Sequence, residues 1–440
     1  MKSNTPILQT VIHGLATSMG SRVLAMALRF ITICLLPFWL TPTEIGFAAL
    51  IMACVNIPAA FADLGFGTAL IKEKSCDHAM FASVYTVSLL SATLMGIGLI
   101  LGASGIQSAF SLPVMMTTIG AFALPFSVLA IVPNAMLQRE LRFTSLAARD
   151  LMGELAFSCT AITLCVLNFG PIAIAFALVA QRIVRWLTAS FAVDWKPKPK
   201  LHVPAIRTLM RFSIFQLGSL SLNQIFNNLD KLLIAALLSP TTLGFYAQSQ
   251  QLTTAPVQSF IGGINNVFFA SFAKLQNDEE KMRTLFRKLF QGLLVASFTL
   301  MAMMFPAMAL IPIIYGNDWL PSVPIARILC LALPFCCASI LEGIMIAIGG
   351  ERRRLVSAIT KLTIMAGGIL SLFALFPNLA NPMTIAAIAC LAFAAASFNN
   401  AHFILKRLRL SILKDKNMLR AAALSLGIAA TSILLTLMLG

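Results

Sequence analysis

Long apolar runs separated by short polar segments dominate the chain. Residues 79–138 form sixty positions without Asp, Glu, Lys, Arg or His, and residues 232–273 and 362–401 contain no Asp, Glu, Lys or Arg. A membrane-spanning helix needs about 20 apolar residues, so each of these runs holds two. Backbone groups in lipid must pair within their own segment, which predicts helices, and the short alternating segments of a membrane β-barrel are not found. The pattern therefore predicts an all-α integral membrane protein.

The boundaries of the apolar runs predict thirteen spans and an amphipathic surface helix over residues 1–16. Only 27 residues lie between Glu154 and Arg182, which is short for two membrane-spanning helices. We interpret this segment as parts of two helices, because Asn168-Phe169-Gly170-Pro171 is a turn sequence. The predicted spans cover residues 18–38, 45–69, 82–101, 113–133, 152–168, 171–192, 212–237, 243–272, 289–314, 322–348, 356–376, 383–404 and 420–439.

The positive charges follow these predicted spans in a regular way. With the N-terminus placed in the cytoplasm, 29 of the 32 Lys and Arg residues fall in alternate, inside segments, and the outside loops hold none. The other three, Arg29, Lys231 and Arg327, lie within spans. Cytoplasmic loops of membrane proteins carry this excess of positive charge, so the distribution predicts the orientation. We therefore expect a multi-pass membrane protein with a cytoplasmic N-terminus.

Composition and motifs exclude several other classes of protein. The chain is 59% hydrophobic and only 11% charged, and its net charge of +16 is dispersed over loops, which argues against nucleic acid as a partner. The nine cysteines lie mostly within apolar runs at irregular spacing, which favours buried thiols over disulfides or a metal site. Phosphate-binding loops and hydrolase motifs are not found. We expect no enzyme, catalytic residue, metal or cofactor.

An internal repeat organises the chain. Residues 40–49 and 238–247 share six of ten positions at an offset of 198, and Pro58 and Gly65 match Pro256 and Gly263 at the same offset. Six predicted spans separate the copies, so both halves have the same orientation, as in transporters with a parallel repeat. We predict two pseudo-symmetric six-helix lobes, residues 1–205 and 206–405, followed by a basic loop and at least one extra helix in residues 406–440.

Charged and polar residues inside spans are the candidates for a substrate cavity, because such residues are costly in lipid. The hypothesis includes Arg29 near the middle of span 1, with structural pairing to a neighbouring helix as its alternative. For Arg22 the alternative is an extended side chain that reaches the interface. A polar stripe on span 7 completes the cavity hypothesis, and hydrogen bonding between helices is its alternative. The stripe consists of Gln216, Ser219, Asn223, Asn227 and Asp230.

Two further acids are candidates for ion coupling. Asp63 precedes Leu64-Gly65-Phe66-Gly67 near the inner end of span 2, where closing a helix end is an equal alternative. Glu342 lies deep in span 10 without an obvious partner in the sequence. At the offset of 198, Asn227 corresponds to Arg29, so we expect these two positions to face each other.

Four segments are informative together: Asp63–Ile71, Pro133–Phe143, Trp195-Lys196-Pro197, and Asp230 with Leu243–Ala247. Their order and spacing resemble those of the bacterial polysaccharide flippases, the polysaccharide transporter branch of the multidrug/oligosaccharidyl-lipid/polysaccharide superfamily. The likeness is to O-antigen flippases and colanic-acid exporters, and it covers most of residues 20–405. It implies alternating-access transport of an undecaprenyl-pyrophosphate-linked oligosaccharide to the periplasmic leaflet of the bacterial inner membrane, for O-antigen, capsule or exopolysaccharide synthesis. The partners it implies are that lipid-linked oligosaccharide, membrane lipids, H⁺ or Na⁺ and other polysaccharide assembly proteins.

Two alternatives to a flippase remain. A multidrug or cation antiporter of the same superfamily would need an acid in the middle of span 1, where this chain has Arg29. A membrane-embedded polymerase or ligase would need a polar outer loop with a catalytic acid, and the outer loops are short and nearly uncharged. The sequence does not identify the sugar, the coupling ion or the oligomeric state.

The orientation can be tested by cysteine labelling in a variant that lacks the nine native cysteines. Single cysteines at Ser111, Asp318 or Asn381 should react with a membrane-impermeant maleimide from the periplasm, because these positions are predicted outside. Cysteines at Lys198, Glu279 or Lys414 should react only after the cytoplasmic side is exposed. Periplasmic labelling at Lys198 would contradict the two-helix interpretation of residues 152–192.

Overall fold

The described part of the chain is helical throughout. It contains no strand, which confirms the all-α prediction. It divides into two compact units, residues 1–244 and 245–440. The predicted lobe boundaries at residues 205 and 405 stay a prediction. The computed structural model describes residues 20–21, 23–73, 76–140, 142–196, 202–255, 257–258, 261, 272, 278–347, 351–410 and 416–439.

The first unit begins with a 16-residue apolar helix that ends in a 3₁₀ turn at Leu36–Phe38. Residues 1–19, including the predicted surface helix, lie outside the described residues, as does Arg22. The helices of this unit are α1 (Val23–Phe38), α2 (Pro42–Ala62), α3 (Phe66–Lys72), α4 (His78–Leu101), α5 (Ala103–Phe110), α6 (Val114–Ala121), α7 (Ala123–Leu129), α8 (Ile131–Arg139), α9 (Phe143–Val166), α10 (Ile172–Phe191) and α11 (Val203–Leu237).

A further helix, α12 (Pro240–Leu252), starts in the first unit and continues into the second. Short 3₁₀ turns at Met308–Leu310, Asn317–Trp319 and Pro377–Leu379 connect helices of the second unit. The other helices of this unit are α13 (Glu279–Ala307), α14 (Ile311–Tyr315), α15 (Ser322–Leu331), α16 (Leu333–Cys337), α17 (Ile340–Ala347), α18 (Glu351–Leu375), α19 (Pro382–Arg407) and α20 (Lys416–Leu439).

Eight helices of the described residues are long and apolar enough to cross a membrane, or nine if one bent pair counts as a single span. This supports a multi-pass membrane protein. The sequence predicted thirteen spans, and the difference has two sources. Helices α9 and α11 occupy predicted spans 5 and 7 but are not among the eight, and α1 is shorter than a full span. Most of predicted span 8 lies outside the described residues.

The joint between predicted spans 5 and 6 is confirmed. Helix α9 ends at Val166 and α10 begins at Ile172, with Asn168 at φ 60° and Gly170 at φ 59° between them. Both residues have left-handed backbone, which Asn and Gly adopt more readily than other residues and which terminates a helix. Two packed helices therefore occupy residues 143–191.

Two predicted continuous spans are broken in the structure. Leu64 and Gly65 have φ values of 52° and 72°, which end α2 and restart the chain as α3. Predicted span 10 bends by 47° between its first two helical pieces. Pro334 lies at the start of α16, and a proline there removes a backbone hydrogen bond and favours a kink. Apolar runs alone do not reveal such breaks.

Two of the segments that carried the family resemblance have structural roles in the first unit. The Arg139 guanidinium donates hydrogen bonds to the carbonyl oxygens of Leu70 and Glu73, at 2.6 and 2.5 Å, and so holds the end of α3. The Trp195 indole packs edge-on against Phe81 and Tyr85 of α4, with ring centroids 6.5 and 5.6 Å apart. Arg139 thus contacts the C-terminal end of α3, and Trp195 the first two turns of α4.

The two copies of the repeat start their helices in the same way. The Thr41 hydroxyl accepts the backbone N–H of Glu44, and the Ser239 hydroxyl accepts that of Thr242. A proline follows each hydroxyl residue at the first helical position, where its missing N–H is no loss. The sequence repeat is thus also a repeat of local structure.

The two copies also contact each other, in a reciprocal arrangement. A Cβ atom placed on Gly46 would overlap the Pro240 carbonyl oxygen, and one placed on Gly244 would overlap the Pro42 carbonyl oxygen. The Thr43 and Thr241 hydroxyl oxygens lie 2.7 Å apart. Each contact joins a position in one copy to its equivalent or near-equivalent in the other. A local two-fold relation therefore connects α2 and α12, and glycine permits the approach of their backbones.

Replacing Gly46 by alanine should destabilise this contact. The added methyl group meets a backbone carbonyl that cannot rotate away, so we expect the free energy of unfolding to fall by about 1–3 kcal/mol. Thermal unfolding of the purified chain in detergent measures the change. Gly98→Ala is the matched control, since no atom lies within 4 Å of its added Cβ and alanine is the better helix former. Equal unfolding temperatures for the two variants would contradict the contact.

Candidate functional site

A buried carboxylate in the middle of helix α9 is the centre of the most polar cluster described in the first unit. The buried face of α9 includes Gly153, Glu154, Phe157 and Ser158, at the spacing of a helix face. The Glu154 side chain is only 6% exposed. An ionised carboxylate in such a place needs cationic or hydrogen-bonding partners.

Two side chains donate hydrogen bonds to one oxygen of this carboxylate, and a third forms an ion pair with it. Arg185 Nη2 lies 2.7 Å and Gln181 Nε2 3.1 Å from Glu154 Oε1, both from helix α10. Arg29 Nη1, from helix α1, forms a longer ion pair of 3.6 Å with the same atom. Glu154 therefore connects α1, α9 and α10 through one oxygen.

The glycine before this acid makes the arrangement possible. A Cβ on Gly153 would lie 2.5 Å from Arg185 Cγ and 2.6 Å from its Nε. These distances are too short for any larger residue, so the Arg185 stem lies directly against the α9 backbone. The missing side chain lets the guanidinium reach Glu154 from the neighbouring helix.

Other polar contacts extend the cluster to a fourth helix. Arg182 Nη2 donates to Asn56 Oδ1 of α2 at 2.8 Å. The Thr32 hydroxyl of α1 donates to the Ser158 hydroxyl, one turn along α9 from Glu154, at 2.7 Å. The cluster is defined here as Arg29, Asn56, Glu154, Gln181, Arg182 and Arg185.

The charges of this cluster do not balance. Two guanidinium groups pair with the one carboxylate, and Arg182 lies close enough for the charges of Arg29 and Arg185 to act on it. The nearby Arg149 and Asp150 pair with each other and add no net charge. The Arg29 side chain is 47% exposed, compared with 24% for Arg185. An excess of positive charge with one accessible guanidinium suits an anionic ligand, since Arg binds phosphate with paired hydrogen bonds.

The other predicted cavity residues differ in how exposed they are in the structure. Asn223 and Asn227 are exposed on α11, whereas Asp230 is buried and its Oδ1 accepts the Lys231 backbone N–H at 2.8 Å. The prediction that Arg29 faces Asn227 stays a prediction, and the ion-pair partner of Arg29 is Glu154. Arg22 and the side chains of Gln216 and Ser219 lie outside the described set.

The two proposed ion-coupling acids both have structural partners. Asp63 Oδ1 accepts the Gly67 backbone N–H at 3.2 Å, which closes the break between α2 and α3. Glu342 Oε1 accepts a hydrogen bond from Lys361 Nζ at 2.6 Å, so the sequence-based view that Glu342 lacks a partner was wrong. Lys361 is 19 positions further along the chain and comes close only because α17 and α18 pack together. Ion coupling at either acid stays a prediction.

Sequence reasoning missed Glu154 and gave Arg182 and Arg185 no role in the site. Glu154 was treated only as the boundary of an apolar segment. One signal was available: an acid and two arginines face each other across a short helical hairpin whose turn was recognised. Antiparallel helices joined by a short turn bring such residues to the same depth.

Comparison with known proteins extends this description. Residues 36–324 match the model of a family described as polysaccharide biosynthesis protein. This range contains every member of the cluster except Arg29. The helical arrangement is similar to that of the lipid II flippase MurJ in an inward closed conformation, with a TM-score of 0.73 and 16% identity over 94% of this chain and 91% of that one.

Two relatives with assigned descriptions are similar in sequence. The lipopolysaccharide biosynthesis protein WzxC of Escherichia coli K12 is 22% identical over 334 residues, 73% of this chain and 67% of that protein. The succinoglycan biosynthesis transport protein ExoT of Rhizobium meliloti 1021 is 24% identical over 331 residues, 74% of this chain and 66% of that protein. The match thus spans about two thirds of the length of these relatives.

The Glu342–Lys361 pair makes a prediction about stability. Lys361→Met should lower the unfolding temperature because it leaves a carboxylate of 21% exposure without its cation. Because the carboxylate is partly exposed, the free energy of unfolding should fall by only about 1–3 kcal/mol. The double variant Glu342→Gln/Lys361→Met should recover part of the loss. Lys281→Met, in an exposed pair with Asp278, is the control and should change little. An equal loss in the single and double variants would contradict the pairing.

Proposed function

Because the chain belongs to the polysaccharide biosynthesis protein family, we propose that it moves an undecaprenyl-pyrophosphate-linked oligosaccharide from the cytoplasmic to the periplasmic leaflet. The oligosaccharide would then enter O-antigen, capsule or exopolysaccharide synthesis. The proposal places the protein in the bacterial inner membrane, with its N-terminus in the cytoplasm. Its relatives in polysaccharide biosynthesis, one of them a transport protein, support a transporter and not an enzyme.

The arginine excess around Glu154 is the observation that carries this proposal. A pyrophosphate bears at least two negative charges, and the cluster offers three cations against one anion. Low-dielectric surroundings strengthen such an interaction relative to water. Arg29 is the exposed member, so in the proposed mechanism it makes the first contact with the pyrophosphate.

The contact between the repeat copies supplies a closing element for this mechanism. In the proposed orientation, residues 40–46 and 238–244 lie at the periplasmic end. Gly46 and Gly244 hold the backbones of α2 and α12 together there. Alternating access requires each end of the path to open in turn, so this contact would separate when the substrate leaves. A proton or sodium ion is the proposed source of energy, and other assembly proteins are proposed partners.

A multidrug or cation antiporter is the alternative of the same fold. Such a transporter needs an acid that can bind a cation or a proton. Glu154 is a buried acid, but Arg185 already pairs with it at 2.7 Å and Arg29 at 3.6 Å. The excess of positive charge around it would repel a cationic drug, so this observation favours the anionic substrate.

Export in a strain deleted for the gene tests the proposal. Arg29→Ala should abolish surface polysaccharide, and Arg29→Lys should retain part of it, because lysine binds phosphate as a point charge without the paired geometry. Surface polysaccharide is measured relative to the amount of protein in the membrane. Lys281→Ala removes a cation that is 74% exposed and outside the cluster, and it should export normally. Normal export by well-inserted Arg29→Ala would remove Arg29 from the mechanism.

A further inference from the structure

The contacts of Glu154 are unevenly shared between its two oxygens. Oε1 receives Arg185, Gln181 and Arg29, at 2.7, 3.1 and 3.6 Å. Oε2 is buried and has no hydrogen-bond partner among the described residues. A carboxylate whose only function was to join helices would be expected to use both oxygens, since a buried unsatisfied acceptor costs free energy.

The donors around this carboxylate are also incompletely used. The Nε atoms of Arg182 and Arg185 are buried without a hydrogen-bond partner among the described residues. Arg29 is the partner at the longest distance from Glu154 and the more exposed of the two arginines that pair with it. The cluster therefore contains two N–H donors without an acceptor, beside a carboxylate that uses only one of its two oxygens.

We propose that Glu154 is a built-in competitor for the substrate pyrophosphate, whose carboxylate pairs with Arg185 and Arg29 when no substrate is bound. This inference rests on the proposed function and assigns Glu154 the regulation of affinity at that site. The pyrophosphate takes Arg29 from Glu154 on binding, and the carboxylate takes Arg29 back on release. No covalent bond changes in either step.

The physical reason for such a residue is the need to release the substrate. Three arginines in low-dielectric surroundings would hold a pyrophosphate tightly, and a transporter that binds too tightly does not turn over. A fixed negative charge among the arginines weakens the binding of an anion, and the effect grows as the charge lies closer to the bound anion. It also keeps the arginines paired in the empty protein, where unpaired buried cations would be costly.

A purely structural role makes the opposite prediction for ligand binding. If Glu154 only positions Arg185 and Arg29, its removal should misplace them and weaken the binding of an anion. If Glu154 competes with the anion, its neutralisation should strengthen binding. The sign of the change in Kd therefore separates the two roles.

The experiment uses the full chain, purified in lipid nanodiscs, with farnesyl pyrophosphate as the probe and calorimetry as the measurement. Glu154→Gln keeps the shape and one acceptor oxygen but removes the charge, and it should lower Kd by on the order of tenfold. The same variant should export less polysaccharide in cells because release is slower. Glu279→Gln, in an exposed pair with Arg283, is the matched control and should leave Kd unchanged.

A second variant keeps the test decisive if Glu154→Gln does not fold. Glu154→Asp keeps the charge that pairs with Arg185 but shortens the side chain by one methylene, which weakens its competition for Arg29, so it should lower Kd less than Glu154→Gln does. An unchanged or higher Kd for folded Glu154→Gln, or for Glu154→Asp if Glu154→Gln does not fold, would overturn the competitor role.

The two proposals fail in different ways. If the wild-type chain neither binds the probe nor restores surface polysaccharide in the deleted strain, the proposed function fails. If the wild-type chain binds, Arg29→Ala loses binding and Glu154→Gln does not gain it, only the role of Glu154 fails. Thermal unfolding of each variant, measured in parallel, separates a change in affinity from a loss of structure.

Discussion

A charged side chain within a membrane-spanning helix bundle must find a partner, and this requirement determines how the helices around Glu154 are arranged. The carboxylate lies on α9 and is 6% exposed; it accepts hydrogen bonds from α10 and forms an ion pair with Arg29 of α1. Gly153 allows the Arg185 stem to lie against the helix backbone. The cluster is therefore an element of the packing and also a place where positive charge gathers around a half-exposed guanidinium, that of Arg29.

A second constraint acts where the two copies of the repeat meet. Polar backbone groups cannot approach closely unless the intervening side chains are absent, and Gly46 and Gly244 satisfy that condition in a reciprocal way. The Thr43 and Thr241 hydroxyls complete the contact. The sequence repeat thus also marks the position where the backbones of α2 and α12 are in contact. Such a contact can separate without breaking a salt bridge, which suits an element that opens and closes.

The segments that gave the family resemblance and the residues that gather charge are different. Arg139 holds a helix end through the carbonyls of Leu70 and Glu73, Asp63 closes the break that starts α3, and Trp195 packs on α4. These residues have structural roles in this chain. The arginine cluster has no comparable signature, because its members come from four helices. The family identifies the class of protein, and the cluster supplies the chemistry that is proposed for it.

The sequence by itself determined the features that depend on the solvent and on local backbone chemistry. The apolar runs predicted the all-α class, because backbone groups in lipid must pair within helices or closed barrels and long unbroken apolar runs fit only helices. Asn168-Phe169-Gly170-Pro171 gave the turn between α9 and α10, because Asn and Gly adopt left-handed backbone more readily than other residues. The repeat predicted that Gly46 and Gly244 are equivalent. The position of Arg29 near the middle of a predicted span made it a candidate for substrate binding.

Only the tertiary structure decided which charges meet. Arg29 and Glu154 are 125 positions apart, and Glu342 and Lys361 belong to separate helices, so no local pattern could pair them. The breaks at Leu64 and near Pro334 also depend on packing, since similar residues elsewhere continue a helix. Local preference and hydropathy are properties of neighbouring residues, whereas the pairing of buried charges is a property of helices that the chain brings together from distant positions.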